Sequence, residues 1–236
     1  MEAIILAGGF GTRLQGVIND VPKPMADING KPFLSYLMEY LSKQGLDKIL
    51  LSVGYKYEII RTYFGSRYNN MEIEYVIENE PLGTGGAVKE SLKHVHGDDA
   101  IVLNGDSYFN VDLKEMLGFY HAHNGLLTIA VKPMHNFDRY GTVILKEDKI
   151  IDFQEKIFKK FGYINGGIYI MNKSISDHFT QRNAAFSFEA DILEKKVGTI
   201  QPFAFTDDGY FIDIGIPEDY ARAQQEFEQL NRGGAR

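Results

Sequence analysis

An apolar pentad near the amino terminus, Ala3-Ile4-Ile5-Leu6-Ala7, runs into Gly8-Gly9-Phe10-Gly11-Thr12-Arg13-Leu14, and Pro22-Lys23-Pro24-Met25 follows shortly after. Glycines behind a buried strand let the backbone bend until successive N–H groups converge on an anion. Arg13 adds a forked donor suited to two phosphate oxygens, and Lys23 adds a compact point charge. The prolines on either side of Lys23 hold it on a stiff, extended segment, so little entropy is lost when it meets a ligand. The chemistry open to this set is the handling of phosphate. Two common devices are excluded: no G-K-[ST] follows the glycines, so this is not a P-loop, and Gly9-x-Gly11 lacks the third glycine of a dinucleotide fingerprint.

Asp106 and Asp213 lie 107 positions apart, yet each closes a strand-like run and both can reach one edge of a sheet. Mg²⁺ takes one or two carboxylates together with substrate phosphates and water, so the pair is a candidate metal site. His94-x-His96 and His121-x-His123 read differently. Each pair falls near a helix end, where imidazoles interact well with the dipole, and no metal is expected there. Lys159-Lys160 reads as a solvated turn.

The elements that must position these residues alternate. Ala3 to Ala7 is a buried parallel strand. Pro32 opens a helix with apolar residues at Phe33, Leu34, Leu37, Met38 and Leu41, and Gly45 closes it. Strands at 49–53, 73–77 and 100–103 alternate with helices at 58–64 and about 84–94. This order implies an α/β fold with a mostly parallel sheet covered on both faces, and such sheets bind ligands beyond the carboxyl ends of their strands. From about residue 126 the pattern changes to a strand at 127–131, a hairpin at 140–145 and 150–154, and a strand at 163–171. A last helix follows Pro217. With no linker or repeat, the whole reads as one domain over 1–231, divided near residue 110 into two halves, with a disordered tail at 232–236.

Composition narrows the classes further. The chain has 236 residues, no cysteine, and 32 acidic against 25 basic side chains, a formal net charge of -7. The acidic balance argues against a duplex-binding surface, and the aromatic residues read as core rather than as a nucleic-acid platform. Absence of cysteine removes disulfide and thiolate chemistry. No apolar run approaches the roughly 20 residues of a membrane span, and Glu2 precedes the first apolar stretch without a basic flank. A soluble, cytoplasmic protein is expected, without nucleic-acid or membrane partners.

The glycine-rich loop with Arg13 and Pro22-Lys23-Pro24 resembles the signature of the sugar-nucleotide pyrophosphorylases, the sugar 1-phosphate nucleotidyltransferases. Glu80-Pro81-Leu82-Gly83-Thr84-Gly85-Gly86, Asn104-Gly105-Asp106, Phe153-Gln154-Glu155-Lys156, Asn165-Gly166-Gly167-Ile168-Tyr169 and Phe211 to Asp219 extend the resemblance over nearly the whole chain. It implies a three-layer αβα, Rossmann-like nucleotidyltransferase fold with a sugar-binding elaboration. The first half would bind a nucleoside triphosphate and the second a sugar 1-phosphate.

The resemblance also implies roles. Leu6, Ala7, Gly8, Gly9, Gly11, Thr12 and Arg13 would hold the nucleotide, with Arg13 on the leaving phosphates. Glu78, Glu80, Pro81, Gly83 and Thr84 would surround the base, and Lys23 would neutralise charge at the α-phosphate. Lys156 would bind the sugar phosphate, with Glu155, Gly141, Asn165, Gly166 and Glu189 around the sugar. Asp106 and Asp213 would hold Mg²⁺, and Arg13, Lys23 and Asp106 would form the catalytic set. A carboxylate at Glu78 or Glu80 can accept from both N1–H and the 2-amino group of guanine, which favours GTP. Val21 to Met25, Lys31 to Leu34, Phe137 to Val143 and Phe186 to Glu189 resemble the branch of the family that acts on a manno-heptose 1-phosphate. Mannose 1-phosphate with GTP, and glucose 1-phosphate with dTTP or UTP, stand as alternatives. A catalytically silent sugar-nucleotide sensor is the rival from another class. A homo-oligomer, if formed, is expected to be a dimer.

Overall fold

The computed structural model describes residues 1–9, 21–179 and 185–233, with the side chains of the last helix described to Glu228. Gly11, Thr12 and Arg13 of the glycine-rich loop lie outside the described residues. The amino-terminal half is built on strands β1 (Glu2–Leu6), β4 (Lys48–Val53), β6 (Met71–Ile77) and β7 (Asp99–Asn104); the short strands β2 (Asp27–Ile28) and β3 (Lys31–Pro32) lie between β1 and β4, and β8 (Ser107–Phe109) follows β7. β1 pairs in parallel with both β4 and β7, and β4 pairs in parallel with β6. The spatial order is therefore β6-β4-β1-β7, with the short β5 (Arg67–Tyr68) antiparallel at the edge. The chain leaves β1 toward β4 on one side and returns to β7 on the other. That reversal opens a crevice at the carboxyl ends of β1 and β7, where ligands of such sheets bind.

Beyond β7 the sheet continues through β12 (Lys159–Asn172) and β9 (Leu127–Phe137) to β13 (Phe203–Thr206), β11 (Lys149–Gln154) and β10 (Thr142–Lys146). β10 also pairs with β12, so these five strands close on themselves into a small ring. Of the ten strands described in this sheet, β5, β11 and β12 run against the other seven. β9 and β12 extend well past the runs 127–131 and 163–171 expected from sequence, because each needs its added residues to pair with the other across Phe137 and Lys159. β8 pairs with β14 (Phe211–Asp213) in a separate two-stranded sheet.

Helices cover both faces. Ile5 of β1 packs with helix α1 (Phe33–Lys43), α2 (Tyr57–Phe64), α4 (Leu113–His123) and α6 (Pro217–Gly233) through Leu37, Ile60, Met116 and Phe227. Ile4, on the opposite side of the same strand, packs with α3 (Gly83–Leu92), a π-helical turn at Phe188–Glu194 and α5 (Lys195–Ile200). Side chains alternate across a strand, so one continuous apolar run supplies both cores. α1 starts after Pro32 and stops before Gly45, whose φ of +79° ends it. α4 is capped by Asp112, whose carboxylate accepts from the N–H groups of Lys114 and Glu115; an Asp at this position satisfies donors that the first turn leaves free. α6 continues through Arg232 and Gly233, residues that read from sequence as a tail.

The crevice needs a glycine. The Gly105 N–H donates to the Leu6 carbonyl at 3.0 Å, and a Cβ at Gly105 would sit 2.5 Å from that same oxygen. Gly105→Ala must separate the ends of β1 and β7, at about 1–3 kcal/mol for a small overpacking in a tight site. Chemical denaturation checks this, and an unchanged midpoint would refute the close approach.

Candidate active site

A cleft of about 910 Å³ opens at the crevice and is lined from both halves of the chain. Leu6, Ala7, Gly8 and Gly9 enter from the end of β1, Lys23 and Pro24 from a 3₁₀ turn, and Asn104, Asp106 and Ser107 from β7 and β8. Tyr140, Gly141, Gln154, Lys156, Asn165 and Glu189 line it from the second half.

Asp106 and Asp213 meet there. β8 pairs Ser107 with Asp213, and the Ile214 N–H donates to the Asp106 carbonyl at 2.9 Å. The Lys23 ammonium donates to Asp106 Oδ2 at 2.6 Å and lies 4.0 Å from Asp213 Oδ1. Burial and the Asp106 charge push the Asp213 carboxyl up from 3.8 to about 6, against the pull of Lys23 and of the Gly215 N–H. Two carboxylates that repel one another and accept only through oxygen suit a hard divalent cation completed by ligand phosphates. Among the described residues no group of three or more acidic or histidine side chains could hold a metal unaided.

The base side of the cleft is shaped by contacts the sequence hides. Glu78 lines it, accepting from Ser52 Oγ at 3.0 Å and from the Leu82 N–H at 3.2 Å, and burial raises its pKa. Gly83 has φ +69°, and its missing Cβ would lie 2.4 Å from the Phe186 carbonyl oxygen. The segment Phe186 to Glu189 crosses this turn directly. The Phe186 N–H donates to the Leu82 carbonyl, the Gly85 N–H donates to the Phe186 carbonyl, and the Phe188 N–H donates to Thr84 Oγ1. Thr84 Oγ1 in turn donates to Glu189 Oε2 at 2.8 Å. On the sugar side, Asn165 Nδ2 donates to the buried Tyr169 hydroxyl at 2.9 Å. The ring of Tyr140 packs edge-on against Phe211 at 5.6 Å. Burial and the charges of Asp219 and Asp213 push the Tyr140 hydroxyl up to about 12, so it is a neutral donor.

Three expected site residues stand elsewhere. Glu80 is exposed in the bend after β6 and does not line the cleft; Glu78, tethered by two donors, is the carboxylate that does. Glu155 lies just past the end of β11, between Gln154 and Lys156, which both line the cleft, and is itself exposed and not among the lining residues. Gly166 is a packing residue, since a Cβ there would fall 2.3 Å from the Phe109 ring and 3.0 Å from the Ala130 carbonyl oxygen; its neighbour Gly167 lines the cleft. The histidine pairs pack as ordinary surface residues. His94 meets Glu74 at 2.8 Å and His96 meets Glu2 at 2.9 Å, with Lys48 between the two glutamates. His121 and His123 sit in the last turn of α4. Asn104, Ser107, Tyr140, Gln154 and Ser187 line the cleft unforeseen. For Asn104 and Ser107 the signal was their place beside Asp106; Ser187 carried none, because only the crossing of Phe186 over Gly83 brings it there.

The Nucleotidyl transferase family profile matches residues 2–230. The chain belongs to that family. This nucleotidyl transferase is 50% identical over 228 residues to D-glycero-alpha-D-manno-heptose 1-phosphate guanylyltransferase of Aneurinibacillus thermoaerophilus, covering 97% of this chain and 99% of the relative. The enzyme of the same name from Campylobacter jejuni is 50% identical over 221 residues, covering 93% and 97%. Among solved structures, HddC from Yersinia pseudotuberculosis superposes with a TM-score of 0.86 at 42% identity, covering 96% of this chain and 99% of that one; the same protein is also known complexed with GMP-PN. No helix among the described residues is long and apolar enough to cross a membrane.

The raised pKa of Asp213 carries a stability signature. A carboxyl whose folded pKa lies near 6 binds its proton more tightly folded than unfolded, so stability is lost as pH rises from about 4 through 6. In the substrate-free protein Asp213→Asn is expected to melt higher than wild type above pH 6, with the gap closing below about pH 4. Parallel melting curves across that range would refute the strained pair.

Proposed function

We propose that this nucleotidyl transferase moves GMP from GTP to D-glycero-α-D-manno-heptose 1-phosphate, giving GDP-D-glycero-α-D-manno-heptose and pyrophosphate. The observation that carries the reading is one cleft lined by Lys23 and Asp106 from the first half and by Asp213 and Lys156 from the second, with Lys23 beside both aspartates. The relatives matched at 50% identity along nearly their full lengths supply the heptose and the guanylyl group. A cytoplasmic setting goes with it, since the triphosphate substrate is made there.

The chemistry follows from charge. A phosphate oxygen of the sugar 1-phosphate bonds to the α-phosphorus of GTP as the bond to the bridging β-phosphate oxygen breaks, and pyrophosphate leaves with that electron pair. No general base is required, because a phosphate monoester is largely deprotonated near neutral pH. What is required is the approach of two anions, so fixed positive charge and orientation supply most of the acceleration. Lys23 leaves its aspartates for the α-phosphate, Lys156 holds the acceptor phosphate, and Arg13 holds the departing one. Mg²⁺ on Asp106 and Asp213 would supply Lewis-acid neutralisation of the triphosphate. Glu78 accepts from the guanine edge, with the Gly83 turn held open by Phe186.

Pyrophosphate release from a grid of nucleoside triphosphates against sugar 1-phosphates tests the assignment. GTP with the heptose 1-phosphate should give the highest kcat/KM; a better mannose or glucose acceptor, or a better base, would overturn it. Lys23→Ala should cut kcat about 10²–10³-fold, the cost of one preorganised electrostatic contact, with the fold retained by circular dichroism though the melting temperature falls as the aspartates lose their counter-charge. A near-normal rate would remove Lys23 from the mechanism.

A further inference from the structure

Asp219 is the one acidic or basic side chain buried among the described residues, 4% exposed. It sits in the first turn of α6, six positions after Asp213. Arg139 Nη2 donates to its Oδ1 at 2.6 Å, and Arg222 Nη1 reaches the same oxygen at 3.2 Å. Arg222 belongs to α6 itself, one turn on, and also pairs with Glu226 at 3.4 Å. Arg139 comes from elsewhere, the loop between β9 and β10, directly before Tyr140 and Gly141.

A buried carboxylate must be paired, since leaving it alone costs several kcal/mol. Arg222 shares that pairing from within the same helix. Arg139 is the hydrogen-bonded partner, and because it comes from a different segment it also ties two segments together. α6 is a firm anchor for that tie. Phe227 packs edge-on against Phe33 and Tyr108, and the Tyr220 hydroxyl donates to the Asp27 carbonyl at 2.6 Å. Only Ile214, Gly215 and Ile216 separate α6 from β14 and Asp213. The loop on the other end carries Tyr140 and Gly141 into the sugar side of the cleft.

We propose that Arg139 and Asp219 are a positioning pair that holds the Tyr140-Gly141 loop at a fixed distance from the Asp213 strand, and so sets where the sugar 1-phosphate lies relative to the nucleotide. The pair touches neither substrate. Its role rests on the functional reading above, and concerns the acceptor alone: the nucleotide side, built from β1, β7 and the Gly83 turn, is anchored independently.

Steady-state kinetics on Arg139→Ala, Arg139→Lys and Arg222→Ala beside wild type tests it. Arg139→Ala should raise KM for the sugar 1-phosphate by about tenfold or more, as misplacement of a substrate-positioning segment does, with KM for GTP within about twofold. Arg139→Lys, which keeps the charge but loses the fork, should fall between. Arg222→Ala removes an equal charge from Asp219 without freeing the loop, and should leave both KM values near wild type. Folding is expected to survive in each case, because one arginine still pairs Asp219; should Arg139→Ala fail to fold, the Lys variant carries the same comparison. An unchanged acceptor KM in the Arg139 variants, a rise in both KM values together, or the same effect from Arg222→Ala would overturn the pair while leaving an active wild type, and the function, intact. A wild type inactive with every acceptor would remove both.

Discussion

Two carboxylates held side by side without enough positive charge to balance them form the constraint around which this molecule is arranged. Asp106 ends the parallel block and Asp213 ends the small sheet paired to it, so their proximity is set by the backbone and cannot relax by side-chain rotation alone. Lys23 offsets part of the repulsion, closely for Asp106 and loosely for Asp213. The carboxyl of Asp213 consequently resists ionisation. Burial contributes most to that resistance and the Asp106 charge adds to it. Stability is given up locally for function, as is common where ligand charge completes a site.

The surrounding fold converts this local arrangement into a two-substrate cleft. The β6-β4-β1-β7 block places the phosphate-handling residues at a strand reversal, and the ring closed by β10 and β12 places Lys156, Asn165 and Gly141 opposite them. The halves are joined through the β7–β12 ladder of the shared sheet. At the cleft, the Phe186 to Glu189 segment also lies across the Gly83 turn, and Glu189 accepts from Thr84 while approaching Tyr169. Residues from both halves thus share a hydrogen-bonded seam on one wall of the cleft.

Much of the site was legible from residue types and their neighbours. Lys23, Asp106, Asp213, Lys156 and Asn165, read from the sequence as site candidates, all line the one cleft. Glu80 and Glu155 share one feature. Each lies just past the end of a strand, where the chain bends and strand alternation no longer says which side chain enters the cleft. Gly166 was misread because a glycine that admits a ligand and a glycine that admits a phenylalanine ring look alike in sequence. Phe186 looked like core and is in fact the brace of the Gly83 turn. Arg139 and Asp219 each fall in a stretch that carries the resemblance, but their pairing had no sequence signal, being a contact between residues 80 positions apart.

The amino-acid sequence by itself determined the alternation of strands and helices, the reversal crevice implied by that order, and the class of chemistry at its rim. Those depend on periodicity, glycine placement and charge type, all of which are local. Tertiary structure alone decided which of the carboxylates Glu78 and Glu80 lines the cleft, which glycines exist for packing, and how the Tyr140-Gly141 loop is tied to the last helix. These are consequences of register and of contacts between distant segments, and a one-dimensional pattern holds no record of which distant side chains share a few ångströms.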